Sequence, residues 1–366
     1  MKVLFLDQFS ELWGAQRCLV DLLPALKERG WSAAAALPGD GPLVTILHEH
    51  NVTVEKISCG PYRPGAKSVT DIFRFGRDLR DQVRVLRPLQ ADLVYVNGPR
   101  LLPAAALAFG DRVPILFHAH SRIPNGPSRW LAQWSLRQTD ATVLACCRAV
   151  APEIPSDKLQ VIANGVADAG FRERAFVTWR IGMIGRMSAE KGPAAFLAAA
   201  RTLNGEFPDA RFVLCGEPIL PELRKQAEGL PVEFLGWRDD IGPVLADLDL
   251  LVIASKTEGM PRVMLEAFCA GVPVVAYPVG GIPEVITNGE TGFLAPERTA
   301  SALAARIREI MLLGQGPLRR VAAKARREWA RCYTVEIYRK RVTNLMERLV
   351  SDWQAERGTK SPQPRR

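Results

Sequence analysis

The chain has 366 residues, 48% hydrophobic and 24% charged, which is too long for one small core and suits two domains. Its net charge of +9 sits at one end: residues 319–366 carry 14 Lys and Arg against 5 Asp and Glu, leaving 34 of each sign elsewhere, which argues against a nucleic-acid-binding face spread over the fold. The 7 Cys form no C-x-x-C pair and no His-Cys cluster, so reduced thiols are expected rather than structural zinc.

No apolar run reaches the roughly 18 residues of a membrane span. Met1 to Leu6 is too short for a signal peptide and Asp7 stops it, so a cytoplasmic location is expected. Val3 to Asp7 reads as a buried strand, followed by the turn Leu12-Trp13-Gly14-Ala15-Gln16. A helix is expected from about Gln16 to Arg29, with Leu19, Leu22, Leu23 and Leu26 on one face and Gly30 ending it. Ser32 to Leu37 is the next strand, so the order is that of a dinucleotide-type half domain. Gly14 is the position where backbone can approach a ligand, a plain tight turn being the alternative. Leu43 to Asn51 reads as a helix and Val52 to Ile57 as a strand.

Asp71 to Leu86 is amphipathic, with Ile72, Phe75, Leu79, Val83 and Leu86 expected inward. Arg74, Arg77, Arg80, Arg84 and Arg87 are expected largely outward as a solvated face countered by Asp78 and Asp81. Leu93 to Asn97 is a strand, and another, from Pro114, leaves the sheet at His120. Loops at strand carboxyl ends are where open α/β sheets bind ligands. His118 and His120 share one strand face by period-2 spacing, and Arg122 follows them. Without a nearby carboxylate the histidines are a poor metal pair, and two satisfied polar residues remain the plain alternative. Ala141 to Cys146 is a strand, and 171–176 reads as a linker.

Strands are expected at 179–184, 211–215 and 232–235. Arg186 and Lys191 flank a loop that enters a helix near Pro193; two cations at a helix N-terminus neutralise phosphates. A strand, Leu250 to Ala254, leads through Ser255-Lys256-Thr257 and Glu258-Gly259 into a helix opening near Pro261. Val263, Met264, Ala267 and Phe268 fit its apolar face and Gly271 its end, before the strand 272–276 and the turn Gly280-Gly281. Backbone N–H groups at that helix start suit a diphosphate. Phosphate repels carboxylates, so Glu258 and Glu266 suit sugar hydroxyls instead. Ala300 to Leu313, Leu318 to Arg331 and Thr334 to Trp353 read as helices.

Glu258 to Glu284 resembles, without a gap, the E-x7-E signature of the family 4 retaining glycosyltransferases. Gly185 to Gly192 resembles their G-R-x4-K-G donor-diphosphate clamp, and Val161-Ile162-Ala163-Asn164-Gly165-Val166 their V-I-x-N-G-V segment. The loop at Trp13 resembles their Gly-Gly-Ala loop, with Trp13 in place of the first glycine. The resemblance covers nearly the whole chain. It implies an α/β GT-B fold of two Rossmann-like domains facing across a cleft: 1–172 on the acceptor side and 173–333 binding the nucleotide-sugar. A helix at 334–357 is expected to cross back onto the first domain, and 358–366 to form a disordered basic tail.

The implied activity is retaining transfer of a hexose-type sugar from a nucleotide-sugar to an acceptor hydroxyl, in polysaccharide, glycolipid or cell-envelope glycan synthesis. His120, six residues after Pro114, matches the family's donor-sugar histidine, with His118 and Arg122 on the acceptor side. Arg186 and Lys191 would hold the diphosphate, Glu258 the sugar and Glu266 the ribose. Gly14, Gly259, Met260 and, near the base, Trp237 and Arg238 complete the donor contacts. No cofactor or metal is implied for donor binding; Asp247-Leu248-Asp249 only mimics the D-x-D motif of another fold. The acceptor is a sugar or lipid-linked hydroxyl, and the basic terminus suits peripheral contact with the anionic inner face of a membrane. A sugar-nucleotide epimerase on the same fold, or an inactive sugar-nucleotide-binding protein, are the alternatives.

Overall fold

A computed structural model describes residues 1–60, 69–151, 156–176 and 178–358. The chain forms two compact units, Met1–Ile162 with Tyr338–Arg366, and Ala163–Ile337. The division falls after Ile162, ten residues before the expected boundary at 172. Of the expected disordered tail at 358–366, Gly358 instead ends the last helix, and residues 359–366 lie outside the described residues.

Unit 1 runs β1 (Lys2–Asp7), α1 (Gly14–Val20), α2 (Leu23–Glu28), β2 (Ser32–Leu37), α3 (Pro42–Glu49), β3 (Thr53–Lys56), α4 (Val69–Leu86), β4 (Leu93–Asn97), α5 (Leu102–Phe109), β5 (Ile115–Ala119), α6 (Pro127–Gln138), β6 (Thr142–Ala145) and β7 (Leu159–Val161). Its sheet is parallel throughout, in the order β3-β2-β1-β4-β5-β6-β7. Strands covered on both faces need unbroken apolar runs, and β4, β5 and β6 are buried along their whole length. The single helix expected at 16–29 is two, because Pro24 has no amide to donate and sits instead in the first turn of α2. Leu19, Leu22 and Leu26 pack in one core with Tyr338, Val342, Leu345, Met346 and Val350, which closes unit 1 with residues from the chain's far end.

Helix α4 is rotated from its expected setting. Ile72 is 63% exposed, and Val69 and Phe73 are more exposed still, while Asp71, Asp78 and Gln82 are buried. The cause is polar: Asp78 accepts from Gly60 N at 3.1 Å, Asp81 from Ser58 N at 3.3 Å, and Gln82 Nε2 donates to Ser58 O at 2.5 Å. Satisfying that backbone outweighs hiding Ile72. Helix α5 escaped the sequence reading because nearly every residue of it is buried, so it shows no amphipathic period.

Unit 2 runs β8 (Arg180–Ile184), α7 (Pro193–Asn204), β9 (Arg211–Cys215), α8 (Pro221–Gln226), β10 (Val232–Gly236), α9 (Gly242–Asp247), β11 (Leu250–Ile253), α10 (Arg262–Ala270), β12 (Val274–Ala276), α11 (Ile282–Val285), β13 (Phe293–Leu294), α12 (Ala300–Leu312) and α13 (Gln315–Cys332). The last helix, α14 (Val335–Gly358), starts here and lies from Tyr338 onward in unit 1. The parallel sheet order is β10-β9-β8-β11-β12-β13. The buried Arg174 donates to the carbonyls of Leu245, Leu248, Ala270 and Gly271, satisfying the C-terminal ends of α9 and α10 with one guanidinium. No helix among the described residues is long and apolar enough to cross a membrane.

Candidate active site

In each sheet the strand order reverses direction once, between β1 and β4 in unit 1 and between β8 and β11 in unit 2. At such a point the loops after the two central strands diverge and leave a crevice at their carboxyl ends. The predicted cations and glutamates of unit 2 lie at such a point; in unit 1 Gly14 follows β1, while His120 and Arg122 follow β5, the strand next to β4.

In unit 2 the loop after β8 carries Arg186 and Lys191, and the loop after β11 carries Glu258 and Gly259. Lys191 Nζ donates to Glu258 Oε1 at 2.6 Å, the carboxylate almost fully buried and the ammonium partly open to solvent. An ammonium has three donors, so this bond leaves capacity for an oxyanion. Backbone ties hold the loops: Lys256 N donates to Glu190 O at 2.7 Å, and Gly281 N to Gly259 O at 2.8 Å. Two glycines make the approach possible. At Gly192 a Cβ would lie 2.1 Å from Ala254 O, and at Gly280, with φ of +56°, 1.8 Å from Glu258 O. Arg186 is partly exposed on the same loop as Lys191.

Helix α10 begins immediately after this loop. Arg262 donates to Gly165 O at 3.0 Å and faces Glu266 at 3.8 Å, one turn on, so Glu266 stands partly exposed beside a cation. Gly259 and Met260 are buried, and Met260 O accepts from the Asn164 side-chain amide at 2.9 Å. Sequence reading recognised the Asn164 segment but not this anchoring bond. Trp237 and Arg238 are exposed after β10, with Trp237 Nε1 donating to Asp239 at 3.0 Å. Asp247 and Asp249 lie at the amino ends of the strands, on the opposite sheet edge from these loops. Both serve Arg180: Asp247 pairs with its guanidinium at 2.6 Å and Asp249 accepts its backbone N–H at 2.9 Å. Among the described residues no group of three or more His, Cys, Asp or Glu could hold a metal.

In unit 1, Asp7 at the end of β1 pairs in register with Asn97 at the end of β4, and His120 follows β5. Asn97 Nδ2 donates to Asp7 Oδ2 at 2.5 Å, and His120 Nε2 lies 2.7 Å from Asn97 Oδ1. Gln16 Nε2 and Phe9 N donate to Asp7 Oδ1, each at 2.9 Å. Burial pushes the Asp7 carboxyl up to about 7, against the pull of the bonds from Asn97 and Gln16. None of Asp7, Gln16 or Asn97 was singled out in the sequence; a carboxylate ending a buried apolar strand was the available signal.

His118, expected on the acceptor side, is fully buried instead. Its ring lies 3.7 Å from that of His120, and its Nδ1 bonds the Tyr95 hydroxyl. Burial, then the neighbouring His120, hold its pKa well below the usual histidine range, so it is a neutral support beneath His120. The geometry follows from the shared strand face: two residues apart puts both rings on one side, one inside and one at the sheet edge. Arg122 is exposed beyond His120, and Gly14 is exposed at the first turn of α1. The Trp13 ring packs tilted against Phe9, with centroids 4.9 Å apart, and is therefore a support of this loop.

Two family models match the chain in tandem: Glycosyltransferase Family 4 over residues 13–169 and Glycosyl transferases group 1 over 178–312. The chain belongs to the family 4-type glycosyltransferases of GT-B fold. Among curated relatives, it is 27% identical over 274 residues to the sulfoquinovosyl transferase SQD2 of Arabidopsis thaliana, covering 65% of this chain and 52% of that protein. It is 28% identical over 306 residues to a glycogen synthase of Mycobacterium tuberculosis, covering 72% and 68%. The match thus spans about half the length of the plant relative. Among solved structures, Anabaena HepE in complex with UDP aligns with a TM-score of 0.77 at 24% identity, over 95% of this chain and 100% of that one.

Proposed function

We propose that this protein transfers a hexose-type sugar from a nucleotide-sugar to an acceptor hydroxyl, with retention of anomeric configuration, in the synthesis of a polysaccharide or other glycan. The observation that carries the reading is Lys191 held on Glu258 immediately before α10, at the unit 2 switch point. A cation, the amide-rich start of a helix and Arg186 on the adjoining loop form a setting for a diphosphate leaving group. Glu258 and Glu266 would take hydroxyls of the sugar and ribose, and His120 a hydroxyl of the donor sugar. HepE has been solved with UDP-glucose, which makes uridine donors the first to try.

Catalysis here is positioning and charge stabilisation, with the leaving phosphate accepting the acceptor's proton. Reaction of the full chain with a panel of nucleotide-sugars and candidate acceptors tests this. Transfer with anomeric retention supports it; epimer formation without acceptor, or no turnover with any donor that binds, contradicts it. Contact with an anionic membrane is proposed as a secondary property of the basic terminus. Lys324, Arg326, Arg331 and Arg357 there are each already paired with a carboxylate. Equal pelleting of the full chain with anionic and neutral vesicles would dismiss the contact.

A further inference from the structure

Helix α4 turns outward two kinds of side chain that the transfer reaction does not use. Among the described residues the four most exposed large apolar side chains are Phe73 at 76%, Val69 at 67%, Trp130 at 66% and Ile72 at 63%. Three of them begin α4, and the fourth lies in the first turn of α6. The unit 1 strands are parallel, so each helix that connects them starts at their carboxyl edge. Helix α5 packs between α4 and α6, which makes the three one layer. The four side chains therefore stand at one edge of one layer, the edge that holds the unit 1 crevice.

The rest of the outward face of α4 is cationic. Val69, Phe73, Arg77, Arg80, Arg84 and Arg87 follow one another at steps of three or four residues, a single exposed stripe about 27 Å long. Arg80, Arg84 and Arg87, with Val83 and Pro88, line an open hollow of about 460 Å³. The acids of the helix point elsewhere: Asp71 and Asp78 are buried, and Asp81 is drawn to Ser58 N and Arg84. Among the described residues no carboxylate pairs with Arg80 or Arg87. The same bonds to Ser58 and Gly60 that pull the polar side chains in thus push Ile72 and the arginines out.

We propose that this face of α4 docks on an anionic lipid surface, with Val69, Ile72 and Phe73 entering the acyl boundary and the arginine hollow taking lipid phosphates. A soluble polyanion would account for the arginines but gives no reason to hold Phe73 and Trp130 in water. Apolar residues beside a basic stripe, with an aromatic ring at the same edge, match a helix lying in a membrane interface. Docking there sets the unit 1 crevice beside the membrane, where an acceptor carried by lipid is within reach. The surface is separate from the basic terminus, and its binding to lipid does not depend on the transferase reading.

The test is co-sedimentation of the full chain at low salt with vesicles of phosphatidylcholine alone or mixed with phosphatidylglycerol. The wild type is expected to pellet with the mixed vesicles only. The double variants Ile72→Ser with Phe73→Ser, and Arg80→Gln with Arg87→Gln, change only exposed side chains, so melting should show both folded. Each should weaken binding to mixed vesicles about tenfold while the basic terminus is intact. The comparison variant Arg320→Gln with Arg327→Gln removes two exposed cations of α13. Equal pelleting of the wild type with both vesicles, wild-type binding by both α4 variants, or a loss confined to the α13 variant overturns the proposal. So does binding of a soluble acidic polysaccharide that needs Arg80 and Arg87, if the serine variant still pellets like the wild type.

Discussion

The two switch points solve opposite electrostatic problems with the same topology. In unit 2 a partly exposed cation is held by a carboxylate, Lys191 on Glu258, beside backbone that glycines bring into contact. In unit 1 a carboxylate is sunk completely and surrounded by amide donors, Asp7 among Gln16, Asn97 and Phe9. The first arrangement offers positive charge outward and suits an anion. The second keeps its charge inside and offers one oriented histidine. The lesson is that a parallel sheet supplies only the crevice; the residues ending the two central strands decide what it can hold.

The contrast is broken most severely at Lys191. Lys191→Ala should lower turnover by about 10²-fold or more, because a charge-stabilising donor is lost where the leaving group develops charge. Circular dichroism and melting should show the fold intact, and near wild-type turnover would remove the diphosphate assignment. Gly280→Ala comes next. Its Cβ would lie 1.8 Å from the Glu258 carbonyl at a left-handed φ, so the loop must move. A loss of roughly 1–3 kcal/mol in stability and a clear drop in kcat/KM are expected. Gly289→Ala is the control: it has a similar φ of +77° but nothing within 4 Å, so only backbone strain is added and activity should survive.

A pH series sharpens the unit 1 side. Asp7 holds its proton up to about 7 when folded and only to the ordinary carboxylate value of 3.8 when unfolded. Between those values the folded state binds more protons, so this group's contribution to stability grows as pH falls. His118, kept neutral by burial, works the other way below its unfolded value of 6.5, because the unfolded chain takes up a proton that the folded one refuses. Comparing wild type with Asp7→Asn isolates the first effect. As pH falls from about 7 to about 4, the Tm difference should move in favour of the wild type, and a constant difference would refute the shift. The smallest effect is expected at Trp237→Ala. Its exposed ring should weaken nucleotide binding only several-fold if a base stacks there, visible as a change in Kd without loss of fold.

Most of unit 2 could be read in advance, because each part of its site is a short run of neighbouring residues, although the meeting of Lys191 with Glu258, 67 residues apart, is not a local signal. The cations, the glycines and both glutamates fall within two short loops and one helix, and local rules reach that far. Unit 1 was less legible. Asp7 and Asn97 are 90 residues apart and meet only because β1 pairs with β4, which no local pattern announces. Helix α4 shows the same limit: its apolar period pointed Ile72 inward, but the buried polar partners of Ser58 and Gly60 turned the helix the other way. His118 and His120 were correctly placed on one face, yet the sequence could not say that one ring would lie beneath the other.

The central claim is that the loops after β8 and β11 bind the diphosphate of a nucleotide-sugar. Calorimetric titration of wild type and Lys191→Ala with UDP, GDP and ADP tests it most directly. The account predicts that at least one of the three binds the wild type and that the variant binds it at least about tenfold more weakly. Equal affinity in the two proteins, or no binding of any of the three to the wild type, would contradict it.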